Sequence, residues 1–158
     1  MAAPLLDLML DDPAATHDFA ARIAQCLRPG DTLLLEGDIG AGKTHFARSL
    51  IQSVQREPED VPSPTFTLIQ SYDTTRGEMI HADLYRLSGP DEIAELGLWE
   101  AFGTRICLVE WPDRLGAEAP EAAITLRFEP GPDPDSRRLT AFGDPEIWAA
   151  RVGGMAHV

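Results

Sequence analysis

At 158 residues and 44% apolar content, the chain is the size of one domain with a real core. Its 26 acidic against 13 basic side chains give a net charge of −13. This argues against electrostatically driven nucleic-acid binding, which needs clustered Lys and Arg, so any nucleic acid in its function is expected to be presented by a partner protein.

Residues 4–10 read as a first strand, and Asp11-Asp12-Pro13 as a helix start with carboxylates near the positive helix end. Phe19, Ile23 and Cys26/Leu27 recur at helical spacing and are expected to face the core. The run before Arg22 holds no basic residue and no long apolar stretch, so neither a signal peptide nor a membrane span is expected. Cys26 and Cys107 have neither zinc-site nor disulfide-framework spacing, which suits a reducing, cytoplasmic setting.

The apolar run 32–35 then enters Gly37-Asp38-Ile39-Gly40-Ala41-Gly42-Lys43-Thr44, which satisfies G-x-x-x-x-G-K-[ST] at every fixed position. The amphipathic run Phe46, Leu50, Ile51, Val54 follows, so a strand enters the loop and a helix leaves it. Such a loop turns its backbone N–H groups toward an anion at a helix N-terminus. Lys43 is then expected to reach the β- and γ-phosphates, and the Thr44 hydroxyl to ligate Mg²⁺. Lys43 is the only lysine in the chain, a distribution that a surface-charge role does not explain.

Val61-Pro62-Ser63-Pro64-Thr65-Phe66-Thr67-Leu68 excludes regular helix and carries hydroxyls beside the expected phosphates. It reads equally as a switch segment or as a proline-fixed entry into a strand. Residues 69–72 and 78–85 read as a hairpin around 73–77, with Ile80, Ala82 and Leu84 on one face and His81, Asp83 and Tyr85 on the other. That polar face either lines the nucleotide site or meets water. Gly89-Pro90-Asp91-Glu92 starts a short helix, and residues 106–109 form an apolar run expected of a strand buried on both faces. The run ends in Glu110, where P-loop proteins place a second Mg²⁺-organising carboxylate. Trp111 is then a core plug or a platform near the site. Residues 123–128 and 138–142 read as a wide hairpin, and residues 145–151 as a last helix. The expected organisation is one P-loop domain over 1–151 with a flexible tail at 152–158.

A regulatory GTPase needs an Asn-Lys-x-Asp segment, which a chain whose sole lysine is Lys43 cannot contain. A small-molecule kinase usually carries an arginine-rich lid; Arg137-Arg138 is the only adjacent pair, which weakens that reading without removing it. A nucleotide-sensing interaction module without useful turnover is the third possibility.

The ordered set G-D-x-G-A-G-K-T, S-P-T-F-T-L, H-x-D-L-Y-R-L, E-L-G-L and V-E-W-P resembles the TsaE (YjeE) family, bacterial ATPases of tRNA threonylcarbamoyladenosine synthesis. The resemblance runs over residues 31–114, with a similar N-terminal helix. It implies a single α/β P-loop NTPase domain, a mostly parallel central sheet flanked by helices, with antiparallel hairpin additions. It further implies ATP and Mg²⁺ as cofactors, TsaD and TsaB as protein partners, weak activity alone, and tRNA met only indirectly. Carried over by position, the loop from Asp38 and Ile39 through Gly40, Ala41, Gly42, Lys43 and Thr44 to His45 holds the nucleotide. Thr44 and Glu110 organise Mg²⁺, and Asp83 orients the attacking water or the metal's water shell. Ser63 and Thr65 belong to the switch segment, Trp111 stands beside the site, and Thr16 approaches the base. His45 departs from the family, which often has a second Thr or Ser there.

Overall fold

The computed structural model describes residues 3–38, 40–57, 61, 69–88 and 90–156. Strand β1 (Leu6–Leu10) leads to helix α1 (Pro13–Ala24), which Asp12 caps by accepting the Ala15 N–H at 2.8 Å. Strand β2 (Thr32–Glu36) enters the glycine loop and helix α2 (Lys43–Val54) leaves it, as the motif requires. The hairpin β3 (Ile69–Thr74) and β4 (Gly77–Asp83) follows, then short helices α3 (Pro90–Ala94) and α4 (Leu98–Ala101). Strand β5 (Ile106–Glu110) runs into a 3-10 helix (Pro112–Glu118); β6 (Ile124–Pro130), β7 (Arg137–Phe142) and helix α5 (Pro145–Val152) complete the order.

The strands form one seven-stranded sheet in the order β1-β7-β6-β2-β5-β4-β3. Its centre, β6-β2-β5-β4, is parallel, and both margins are antiparallel additions. The expected mixture of a parallel centre and antiparallel hairpins is therefore found. The β3–β4 turn is tighter than the 73–77 loop read from sequence. The Thr74 hydroxyl donates to the Gly77 carbonyl at 2.6 Å and accepts the Arg76 N–H at 3.0 Å, and Gly77 takes φ 113°, so pairing runs out to Thr74↔Gly77.

Alternation along the central strands sorts two cores. Leu33, Leu35, Met79, Ile106 and Leu108 face the layer made by α1 and α2, while Leu34, Ile80, Ala82, Cys107 and Val109 face α3, α4 and the 3-10 helix. In the first layer, Phe46 stacks between Phe19 and Phe128, with ring centroids 5.9 and 5.3 Å apart. Both cysteines are free thiols; Cys107 is a packing residue whose thiol burial pushes up to about 12.

The C-terminal segment closes the large core. Arg151 of α5 pairs with Asp31, donates to the Cys26 carbonyl at 2.5 Å and covers the Trp148 ring at 4.1 Å. Residues 153–156, inside the stretch expected to be a tail, form a 3-10 turn with Met155 buried, and Arg22 donates to the Gly154 carbonyl at 3.1 Å.

Candidate functional site

Because β2, β4 and β5 are parallel, their C-terminal ends lie along one edge of the sheet, where ligands of open α/β sheets bind. The register is direct: Leu35 pairs with Glu110, and Glu110 with Asp83. His81 shares the face of Asp83, and that face lies under α2. The polar alternation of β4 therefore points to the loop edge rather than to water, and His81 is fully buried.

Two glycines explain the loop's path. Gly37 has φ 148°, and a Cβ there would stand 2.7 Å from the Phe128 carbonyl oxygen. Gly42 sits at φ 104° as the N-cap of α2, a left-handed position that L side chains resist. The turn between them is closed by the Ala41 N–H donating to the Asp38 carbonyl at 3.0 Å.

Lys43 opens α2 and is 4% exposed. Its ammonium donates to the Gly37 carbonyl at 2.5 Å and lies 3.6 Å from the Trp111 ring centroid. Burial lowers its pKa, against the raising influence of Glu110, Asp83, Asp38 and Asp113. Trp111 is the one non-glycine among the described residues at positive φ, 58°, a strained conformation of the kind that collects at functional sites. Tyr85 flanks it, with ring centroids 4.9 Å apart.

The Thr44 hydroxyl donates to Glu110 Oε1 at 2.8 Å, and the other Glu110 oxygen lies 2.7 Å from His81 Nε2. A carboxylate only accepts, so His81 carries its proton on Nε2, and its Nδ1 is buried without a partner. Glu110 is thus fixed by two neighbours while Thr44 keeps its lone pairs. Thr44, Glu110 and Asp83 offer hard oxygen donors of the kind Mg²⁺ takes. Among the described residues, no group of three or more His, Cys, Asp or Glu side chains could hold a metal ion.

Burial raises the Asp83 pKa; the Tyr85 N–H bonded to Oδ1 at 3.0 Å works against this, and the Glu110 charge adds to it. The folded chain therefore holds this proton where the unfolded chain, at 3.8, has released it, and the contribution to stability falls as pH rises through that window. Asp83→Asn is accordingly expected to be at least as stable as the parent at about pH 8, with the difference shrinking toward the acid end of a Tm series. A variant clearly less stable than the parent at that pH would show that the ionised form is supported by the fold.

These groups open on a cavity of about 560 Å³. Of the residues expected to bind nucleotide or metal, Thr16, Gly40, Gly42, Lys43, Thr44, His45, Asp83, Glu110 and Trp111 line it. Thr16 of α1 and His45 of α2 both line its wall, and His45 Nε2 lies 3.2 Å from the Pro13 carbonyl. Asp38 lines a second cavity that shares Trp111 and Phe128 with the first, and Ala41 is buried. Ile39, Ser63 and Thr65 lie outside the described residues, so the switch reading of 63–67 is not placed.

Arg137, weighed in the sequence only as half of an arginine pair too small for a kinase lid, also lines the cavity. No local pattern marks it. It reaches the loop because β6 runs parallel to β2, which brings the β6–β7 connection to the same edge. Tyr85 and His81 were visible through their parity with Asp83 and as members of the H-x-D-L-Y-R-L motif, but neither was assigned a role.

The strand, glycine loop and helix at the edge of a mixed sheet define a P-loop NTPase fold. The family model described as threonylcarbamoyl adenosine biosynthesis protein TsaE matches residues 10–139, and the chain belongs to this family. A Rickettsia bellii protein named tRNA threonylcarbamoyladenosine biosynthesis protein TsaE is 43% identical over 121 residues, covering 77% of this chain and 84% of its own. A Bacillus subtilis protein of that name is 37% identical over 130 residues, covering 82% and 80%. The Rickettsia felis relative is 44% identical over 106 residues, and the match spans only 62% of its length against 67% of this chain. The crystal structure of Bacillus subtilis YdiB superposes with a TM-score of 0.73 at 27% identity, covering 96% of this chain and 93% of that one. Among the described residues, no helix is long and apolar enough to cross a membrane.

Proposed function

We propose that the chain is a Mg²⁺-dependent ATPase that serves formation of threonylcarbamoyladenosine in tRNA, working in the cytoplasm with TsaD and TsaB. Membership of the TsaE family supports the pathway. The observation that carries the chemistry is the convergence of Lys43, Thr44, Glu110 and Asp83 on one cavity at the P-loop edge. At about 560 Å³ the cavity falls within the range of small-molecule sites.

In this reading the loop N–H groups and Lys43 neutralise the phosphates, and Lys43 gives up the Gly37 carbonyl to reach them. Thr44 and Glu110 would hold Mg²⁺, which supplies positive charge against the β- and γ-phosphate oxygens when bound. Glu110 is kept in place by His81, so its carboxylate need not reorganise. Asp83 accepts a hydrogen bond from the attacking water or from a water of the cation's shell; its raised pKa makes it a better proton acceptor than an ordinary carboxylate. Thr16 stands where the base would lie. The net charge of −13 keeps the chain off RNA, leaving tRNA to the partners.

Reconstitution tests this reading. Threonylcarbamoyladenosine formation in tRNA by TsaD and TsaB is expected to depend on this chain and on ATP. Full modification in its absence would remove it from the pathway, and label transferred from ATP to an added metabolite would favour a kinase.

A further inference from the structure

Arg137 is tied to the glycine loop by a fan of hydrogen bonds. Its Nε donates to the Ala41 carbonyl at 3.0 Å and Nη2 to the Gly40 carbonyl at 3.3 Å. Its Nη1 donates to the carbonyls of Pro134 and Ser136, each at 2.8 Å. One rigid guanidinium thus joins two loops nearly a hundred residues apart in sequence. The flat fork of donors suits that task; a lysine ammonium is a point charge on a flexible stem.

The far anchor is itself held. The Ser136 hydroxyl accepts the Asp133 N–H and donates to the Asp133 carbonyl, both at 3.0 Å. The Ser136 carbonyl also accepts the Gly131 N–H at 3.0 Å, and a Cβ on Gly131 would stand 2.1 Å from Ser136 Oγ. The β6–β7 connection is therefore a closed turn that can bear against the P-loop.

A peptide whose carbonyl points at Arg137 turns its N–H the opposite way. The Ala41 N–H is itself held by the Asp38 carbonyl, so tying the Ala41 carbonyl to Arg137 acts on the orientation of the next N–H, that of Gly42 at the start of α2. Charge adds to geometry. The cavity is lined by Asp83, Glu110 and Asp135, and among the described residues Arg137 and Lys43 are the Lys or Arg side chains that line it.

We propose that Arg137 is a positioning residue for nucleotide: from the β6–β7 turn it holds the P-loop in the shape that receives phosphate. This rests on the ATPase reading above and adds to it a residue from the C-terminal hairpin, outside every motif of the sequence. Binding of phosphate needs the loop already shaped, so loss of the clamp falls mainly on nucleotide affinity.

The test compares parent, Arg137→Lys, Arg137→Ala and Gly131→Ala in Mg²⁺-ATP titrations, with KM and kcat for phosphate release and Tm with and without nucleotide. Arg137→Lys keeps the charge, and Gly131→Ala leaves Arg137 in place but displaces its anchor. Each is expected to raise KM roughly tenfold or more, with kcat changed much less and the nucleotide-induced rise in Tm reduced. Arg137→Lys covers the case in which Arg137→Ala fails to fold. Parent-like KM in Arg137→Lys and Gly131→Ala, with only nucleotide-free Tm lowered, would make Arg137 a structural tie and overturn the proposal alone. Absence of nucleotide binding by the parent itself would overturn both this proposal and the ATPase reading.

Discussion

Lys43→Ala is expected to lower ATP turnover by on the order of 10²-fold or more, the scale seen when one aimed donor is removed from a charge-stabilising site. The side chain is 4% exposed, and its ammonium is spent on one backbone carbonyl and the face of Trp111. Neither contact repays the burial of a charge in full, since burial lowers its pKa even with Glu110 and Asp83 close by. A cation kept in so unfavourable a place is expected to have a use beyond stability. Tm of the nucleotide-free variant should therefore change little while the stabilisation brought by Mg²⁺-ATP disappears. A variant that lost its fold, or one that kept its turnover, would count against Lys43 as a phosphate ligand.

Glu110 gives the second large effect, and two substitutions separate its roles. Glu110→Gln keeps an oxygen to accept the Thr44 hydroxyl and an amide for the imidazole in its other tautomer, but removes the charge. Its fold should survive, whereas Mg²⁺-dependent turnover should fall on the order of 10²-fold. Glu110→Ala in addition leaves the His81 N–H and the Thr44 hydroxyl without their partner. His81 is fully buried, so the cost is about 1–3 kcal/mol, a fall in Tm of several degrees for a domain of this size. Melting curves and magnesium titrations of both variants check this. Equal magnesium dependence in Glu110→Gln and parent would take Glu110 out of the cation's shell.

The sequence showed the core of this arrangement because its signals are local. The G-x-x-x-x-G-K-T spacing placed β2, the loop and α2. The four apolar residues before Glu110 announced a strand buried on both faces, and Cys107 and Val109 do face one core while Ile106 and Leu108 face the other. Parity along β4 put His81 beside Asp83. What stayed hidden depends on topology. That Asp83 stands next to Glu110, and that the turn before Arg137 lies against Gly40 and Ala41, follow from strand order and register, which no local pattern fixes. Trp111 is the middle case. Its position after the strand left core plug and site platform both open, and the ring does pack against the second core while also lying beside the Lys43 ammonium. Within the stretch read as a tail, Met155 is a single apolar residue among small ones, and its burial is set by a core assembled from distant segments.

Phosphate release from Mg²⁺-ATP tests the central claim most directly. It is to be measured for the chain alone, with the TsaB–TsaD pair added, and for Lys43→Ala under both conditions. Slow release that the pair accelerates and that Lys43→Ala abolishes is the expected result. Release that ignores the pair, or that survives in Lys43→Ala, would contradict a partner-dependent ATPase built on this P-loop.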